Sequence, residues 1–386
     1  MTVRTPFGLI LLLWGAGLGA AAQYGKVSVI FDLLPGAYPD AGAAVGWIVS
    51  LVGFVGILFG VVAGLVVARI RYRRALLWAL WMGAAVSALQ AALPPLPVML
   101  LLRVAEGASH LAIVVAAPTL IAQLSAPRDR GLTLTLWGTF FGVAFAVLAF
   151  AGRPLALSFG LPALFLAHGL YMALSALILT NRLRALPEEG AQPDFSVPQV
   201  VKDHGRIYRS PHLVAPAAGW LFYTFSFVSI LTVLPPYLDP GLRAPVMTAM
   251  PLLSILVSMT LGVLLLRRLS GVQVVMAGFA LSALCMVWLW LMPGAPLACL
   301  ALAGALGLIQ GASFAAVPQL NQTAATQAQA NGTMAQMGNL GNTLGTPMMA
   351  FALAQAGYAA LPVLAGAAFV AGFAVHLLLG ALRRRT

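Results

Sequence analysis

Apolar runs long enough to cross a bilayer follow one another along nearly the whole chain, parted by short breaks such as Pro35-Gly36, Pro94-Pro95, Pro235-Pro236 and Pro293-Gly294. A crossing helix takes about 20 mostly apolar residues at about 1.5 Å rise each. The runs predict twelve spans, at 7–33, 42–68, 75–92, 98–124, 132–152, 159–181, 212–238, 246–268, 271–292, 296–322, 332–356 and 359–381. Little of the 386 residues remains for anything but connections. The longest connection, about Arg182 to Ser210, carries Glu188, Glu189, Asp194, Lys202 and Asp203 among Pro187, Pro193 and Pro198. It divides the chain into six spans and six, with boundaries expected at 1–181, 182–211 and 212–386.

Composition narrows the class further. With 61% hydrophobic and 8% charged residues and a mean hydropathy of +0.97, the exterior must face hydrocarbon; a soluble core of this size needs far more polar surface. The net charge of +12 would suit nucleic acid only if the cations formed one continuous face. They form small groups at span ends instead, which suits orientation in the membrane and contact with anionic lipid. Counted by the positive-inside rule, Arg4, the group Arg69 to Arg74, Arg128 and Arg130, the arginines and Lys202 of the central insert, Arg267 with Arg268, and Arg383 to Arg385 share one side. The opposite loops hold Arg153 and Arg243. Both termini are therefore expected in the cytoplasm, and the chain in a bacterial inner membrane. Residues 1–22 imitate a secretory signal, with Arg4, an apolar run and Ala20-Ala21-Ala22. Cleavage would leave eleven spans and unpaired halves, so the segment reads as a retained first helix. Cys285 and Cys299 are too few for a disulfide framework and behave as small hydrophobes.

The halves echo each other. Arg103-Val-Ala-Glu-Gly-Ala-Ser-His110 in span 4 lines up with Gly307-Leu-Ile-Gln-Gly-Ala-Ser-Phe314 in span 10, each the fourth of six. Between spans 2 and 3 stands Gly64-Leu-Val-Val-Ala68-Arg69-Ile-Arg71-Tyr-Arg73-Arg74, and after span 4 Pro127-Arg-Asp-Arg130-Gly131. On these residues the chain resembles the major facilitator superfamily over its full length. The first stretch is a degenerate form of that family's basic motif, with Ala68 in place of its Asp and Arg71 in place of its second Gly. Arg103-Val-Ala-Glu106-Gly107 is similar to its span 4 motif, with Glu for Gln. The family's span 5 antiporter signature is missing, Gly138-Thr-Phe-Phe-Gly142 standing there instead. The resemblance implies an all-α membrane protein of twelve transmembrane helices in two pseudo-symmetric six-helix bundles. It also implies secondary transport by alternating access, by a chain expected to be a monomer.

Charges inside hydrocarbon are costly, so those that occur there are the first candidates for function. Arg103, Glu106 and His110 fall within roughly 60° of one helix face, and Lys26 lies at a depth similar to Arg103, roughly 8 to 10 Å below the outer end of its span. In the resembled family spans 1 and 4 border the central cavity, so Lys26 and Arg103 are expected to recognise a carboxylate or similar anion. Glu106 is the candidate proton-coupling residue, with Asp32 as a second acid, and His110 a relay or hydrogen-bond donor. Two blander readings stand open: an intrahelical Arg103–Glu106 pair that only neutralises itself, and a Lys26 that snorkels outward to Asp32. His168 and His376 read as structural.

The second half offers neutral groups. Gln336, Asn339, Asn342, Thr343 and Thr346 share a face of span 11, and Trp220, Tyr223, Thr224 and Phe227 a face of span 7. They fit a cavity wall for a small organic solute or helix packing, for which Gly341 and Gly345 have the close-approach spacing. Gln310 and Asn321 are further candidates on span 10. No phosphate-binding loop, metal cluster or nucleophile elbow is present in the sequence, so neither an enzyme nor a nucleotide-driven pump is expected, and no cofactor. The expected partners are a small, possibly anionic solute, protons and membrane lipids, with no nucleic acid. The expected activity is proton-coupled uptake of a small organic anion; the alternative is efflux of amphipathic compounds. A sensor would need a soluble output module, and a channel fits the single charged cluster less well.

Overall fold

The computed structural model describes residues 4–60, 62–184 and 205–385; Glu188, Glu189, Asp194, Lys202 and Asp203 of the central insert lie outside them. The described residues are helical, with no strand among them. The spans are α1 (Phe7–Ser28), α2 (Pro39–Phe59), α3 (Tyr72–Gln90), α4 (Leu96–Leu124), α5 (Phe140–Phe159), α6 (Leu161–Leu183), α7 (Val214–Val233), α8 (Pro240–Leu266), α9 (Gly271–Leu291), α10 (Pro296–Leu320), α11 (Ala324–Ala356) and α12 (Ala360–Arg383). Ten stretches are long and apolar enough to cross a membrane on those grounds alone. The last of them, Gln329–Arg383, joins α11 to α12 through the turn at Gly357–Ala359, and α3, with Tyr72-Arg73-Arg74 at one end, completes the twelve.

Helix starts follow local chemistry. α4, α6, α8 and α10 each place a proline in the first turn, where its missing N–H would have had no partner anyway. α9 and α11 open with reciprocal caps, Ser270 with Gln273 and Thr323 with Thr326. Several boundaries differ from those the hydropathy pattern predicts. α1 stops at Ser28 and passes into a tight turn at Phe31–Leu33, which leaves Lys26 in the last turn of the helix. Span 2 is a chain of short helical pieces, with Gly42 at φ 51° and a tight turn at Leu51–Gly53, followed by a separate helix Ala63–Ile70; its many glycines weaken a continuous helix. α5 runs on to Phe159 because a wide turn at Leu148–Gly152 absorbs Pro154. Arg153 is thus helical rather than in a loop, and its Nη1 donates to the Val29 carbonyl at 2.8 Å, serving the end of α1.

The contacts gather into two units, Met1–Ile30 with Val62–Phe195 and Phe31–Val61 with Ser196–Thr386. The first is built on Ile10, Leu13, Leu76, Leu80, Ile113 and Met172, drawn from α1, α3, α4 and α6. Large apolar side chains such as Trp78, Leu101 and Phe150 point outward, as hydrocarbon requires. In the second unit α7 and α11 approach most closely, because Gly338, Gly341 and Gly345 leave room for Trp220, Thr224 and the Phe225 backbone. α2 packs there too, with Gly46 against Pro347, Gly56 against Asn339 and Gly60 against Gln336.

Candidate functional site

Four helices of the first unit converge on polar side chains. Lys26 of α1 and Arg103 and Glu106 of α4 are each 0% exposed. Lys26 Nζ donates to Glu106 Oε1 at 2.6 Å and to Ser87 Oγ of α3, and lies 3.2 Å from His168 Nδ1 of α6. Three acceptors thus meet the three ammonium protons. The Phe165 ring centre is 5.3 Å from the same nitrogen, a cation–π distance. Arg103 Nη1 donates to Glu106 Oε2, and its Nη2 to the Gln23 carbonyl at 2.6 Å. Gln90 Nε2 reaches Glu106 Oε2 at 2.9 Å, so donors from α1, α3 and α4 hold one carboxylate. Gly83 lets the helices come this close: a methyl group there would sit 2.8 Å from Ser109 Oγ and 3.0 Å from Gln23 Nε2.

The histidine tautomers follow from their partners. His168 Nε2 is 3.0 Å from the Gly19 carbonyl, which can only accept, so in the neutral ring Nε2 carries the hydrogen and Nδ1 accepts. That Nδ1 is also 2.6 Å from Ser87 Oγ. His110 is held the other way round: its Nδ1 donates to the Ala20 carbonyl at 2.9 Å, and its ring stands edge-on to Tyr24 at 5.2 Å. With Lys26, Arg103 and Glu106 all ionised, the group carries one positive charge in excess. An uncompensated charge away from water costs several kcal/mol. Among the described residues no three His, Cys, Asp or Glu are placed to hold a metal.

The Arg103–Glu106 pair anticipated from helical spacing is present, within a larger group. Lys26 does not snorkel to Asp32: its ammonium is taken by Glu106 and Ser87, while Asp32 is exposed on the turn after α1. His168, read from the sequence as structural, is buried and hydrogen-bonded, and α6 turns it toward Lys26 and Ser87. Ser87, Gln90 and Gln23 went unanticipated. Their signal was present as three polar pairs at i, i+3 in otherwise apolar helices, namely Gln23 with Lys26, Ser87 with Gln90 and Arg103 with Glu106. His376 packs against Gly219 and Phe279, with no hydrogen-bond partner at either ring nitrogen.

Residues 13–346 match the family profile described as Major Facilitator Superfamily. The chain belongs to the Major Facilitator Superfamily. It is accordingly a membrane transporter and not an enzyme. Solved members share its fold. A bacterial homolog of the human lysosomal transporter Spinster, inward-facing and occupied, aligns at a TM-score of 0.75 and 14% identity over 98% of this chain and 97% of its own. The transporter FucP in its outward conformation aligns at 0.67 and 16% over 97% and 99%. A variant of the E. coli fucose:proton symporter FucP aligns at 0.66 and 17% over 97% and 99%. No curated protein matches by sequence.

The second unit of this superfamily member carries no comparable charged group among its described helices. On α7 the rings of Trp220, Tyr223 and Phe227 stack in a ladder at 4.6 and 5.4 Å, and Phe314 of α10 meets Trp220 edge-on at 5.0 Å. Gln310 Oε1 lies 3.5 Å from Ser254 Oγ. Asn339 donates to the Ala335 carbonyl of its own helix at 2.8 Å, and the buried Asn342 Oδ1 has no hydrogen-bond partner. Asn321 Nδ2 caps α10 through the Val317 carbonyl at 3.1 Å. Gln336 spans two elements, donating to the Ile57 carbonyl at 2.7 Å and accepting from Tyr208 at 2.5 Å. Thr224 bonds back to its own helix and lies against Gly341, a packing role.

Proposed function

We propose that this transporter is a proton-coupled carrier that takes up a small organic anion across a bacterial inner membrane, with both termini in the cytoplasm. The reading rests on one observation, the two buried basic side chains Lys26 and Arg103 that share the single buried carboxylate of Glu106. Arg103 balances Glu106; a proton on Lys26 is then unbalanced until an anion arrives. Lys26 and Glu106, joined at 2.6 Å, titrate as one pair, so the exchangeable proton belongs to both. Proton and anion therefore favour each other's binding by the same factor, which is the thermodynamic content of symport. Glu106 is the coupling acid in preference to the exposed Asp32, because an incoming carboxylate competes with Glu106 for the same two cations. A fucose:proton symporter among the solved relatives supports the choice of coupling ion. His110, in the same unit as this group, is a further hydrogen-bonding candidate for the cargo.

In proteoliposomes with an alkaline interior, uptake of organic acids should rise with the pH difference in wild type and lose that dependence in Glu106→Gln. Full pH dependence in the variant overturns the reading. A second reading, efflux of amphipathic compounds, has one observation in its favour, the three-ring ladder on α7. A thermal-shift screen separates the two, since a ligand that prefers the folded state raises Tm. Stabilisation by organic acids supports uptake of anions, and stabilisation by lipophilic cations alone supports efflux.

A further inference from the structure

We propose that His168 and Ser87 form the path by which the exchangeable proton enters and leaves the Lys26–Glu106 pair, so that α3 and α6 carry part of the coupling machinery. The inference rests on the symport reading above and adds a route to it.

Lys26, Ser87 and His168 form a closed triangle. Lys26 Nζ donates to Ser87 Oγ, Ser87 Oγ is 2.6 Å from His168 Nδ1, and Nδ1 is 3.2 Å from Nζ. Because the Gly19 carbonyl keeps a hydrogen on Nε2, the vacant nitrogen of the neutral imidazole is the one facing Ser87 and Lys26. A ring held this way can receive a proton on Nδ1 without turning over. The transfer balances. One N–H bond of the Lys26 ammonium breaks as Ser87 Oγ takes that proton, and the Ser87 hydroxyl proton passes to Nδ1. The products are a neutral amine, an unchanged hydroxyl and an imidazolium, which gives its Nδ1 proton to water at a later stage of the cycle. Loading runs the same steps in reverse.

The direction is set by charge. Around Lys26 the ionisable groups are Glu106 and Arg103 from α4 and His168 from α6, with His110 of α4 hydrogen-bonded to the Ala20 carbonyl; α3 contributes only the neutral Ser87 and Gln90. Handing the proton to His168 leaves the charge of the group unchanged; without an anion, the second cation beside a single carboxylate favours its onward loss from the imidazolium to water. A bound anion removes the excess and favours its return to Lys26. His168 Nδ1 also serves as the third acceptor of the Lys26 ammonium, so the test must separate that structural role from proton transfer.

The test uses the full-length protein in proteoliposomes, with labelled lactate, pyruvate and succinate as anion probes and an interior one pH unit more alkaline. One proton carried per anion supports about tenfold accumulation. His168→Asn keeps an acceptor oxygen near the Nδ1 position but cannot hold a proton. We expect its initial rate of pH-driven accumulation to fall at least tenfold, while anion counterflow without a pH difference, which needs no net proton movement, falls less than threefold. Ser87→Ala, which leaves only the longer contact between Lys26 and His168, should fall about threefold in the first assay. Wild-type accumulation rates in His168→Asn overturn the relay, as does an equal loss of accumulation and counterflow, which marks a residue needed only for packing. Counterflow without pH-driven accumulation in the wild type removes the symport reading, and the inference with it.

Discussion

α4 and α10 occupy matching places in the two halves and share Gly-Ala-Ser at Gly107 to Ser109 and Gly311 to Ser313, yet they spend their other positions differently. Arg103 and Glu106 bind across to α1 and α3. Their counterparts Gly307 and Gln310 lie against Ser254 of α8, where Gly307 has no room for a side chain. His110 bonds to a carbonyl, and its counterpart Phe314 packs on Trp220. A duplicated frame can thus be held by a charged cluster in one copy and by close helix contact in the other. Among the described residues, a buried ion-paired group is then present in only one of them.

The sharpest way to break that contrast is Glu106→Ala. It leaves Lys26 and Arg103 buried without a counter-charge, and breaking such a group costs about 3–5 kcal/mol; the loss should appear as a lower Tm and the absence of transport. Gln310→Ala should stay within about 1 kcal/mol, because it strands no charge. Lys26→Met is the sharper probe of purpose. It leaves Arg103 and Glu106 as a neutral pair, so Tm should hold or rise while pH-driven uptake disappears. A large fall in Tm instead would mean that Lys26 serves the packing of the bundle. In the second half, Gly307→Ala should cost about 1–3 kcal/mol by thermal melting, since the methyl meets the Ser254 backbone. Tyr208→Phe removes a hydrogen bond to Gln336 worth about 0.5–1.5 kcal/mol. Burial pushes the Tyr208 phenol up to about 12. A raised value means that the bond's contribution is complete below pH 10 and is lost only as pH climbs through 12. The difference from wild type should therefore be constant between pH 6 and 9.

Most of the helices were legible because they are apolar runs of bilayer length, and the Arg103–Glu106 pair because helical spacing brings i and i+3 together. The partners of that pair were not. A helix that is apolar all round carries no stripe to fix its rotation about its own axis, so nothing in the runs around Ser87 or His168 tells which way those side chains face. Only the packing of α3 and α6 on α1, helped by Gly83 and by Gly169 against the α3 backbone, turns them inward. The glycine-rich span 2 misled for the opposite reason: its hydropathy is that of one long helix, but hydropathy does not register where the backbone yields.

α2 precedes the central insert in the chain, yet its glycines fit against Pro347, Asn339 and Gln336 of α11. Anyone seeking to produce the transporter as two separate polypeptides, severed in that insert, would strip each piece of something it relies on. The leading piece would carry an orphaned helix and the trailing piece an uncovered groove. Only co-production, letting the first piece lend its second helix to the other, should recover a working assembly.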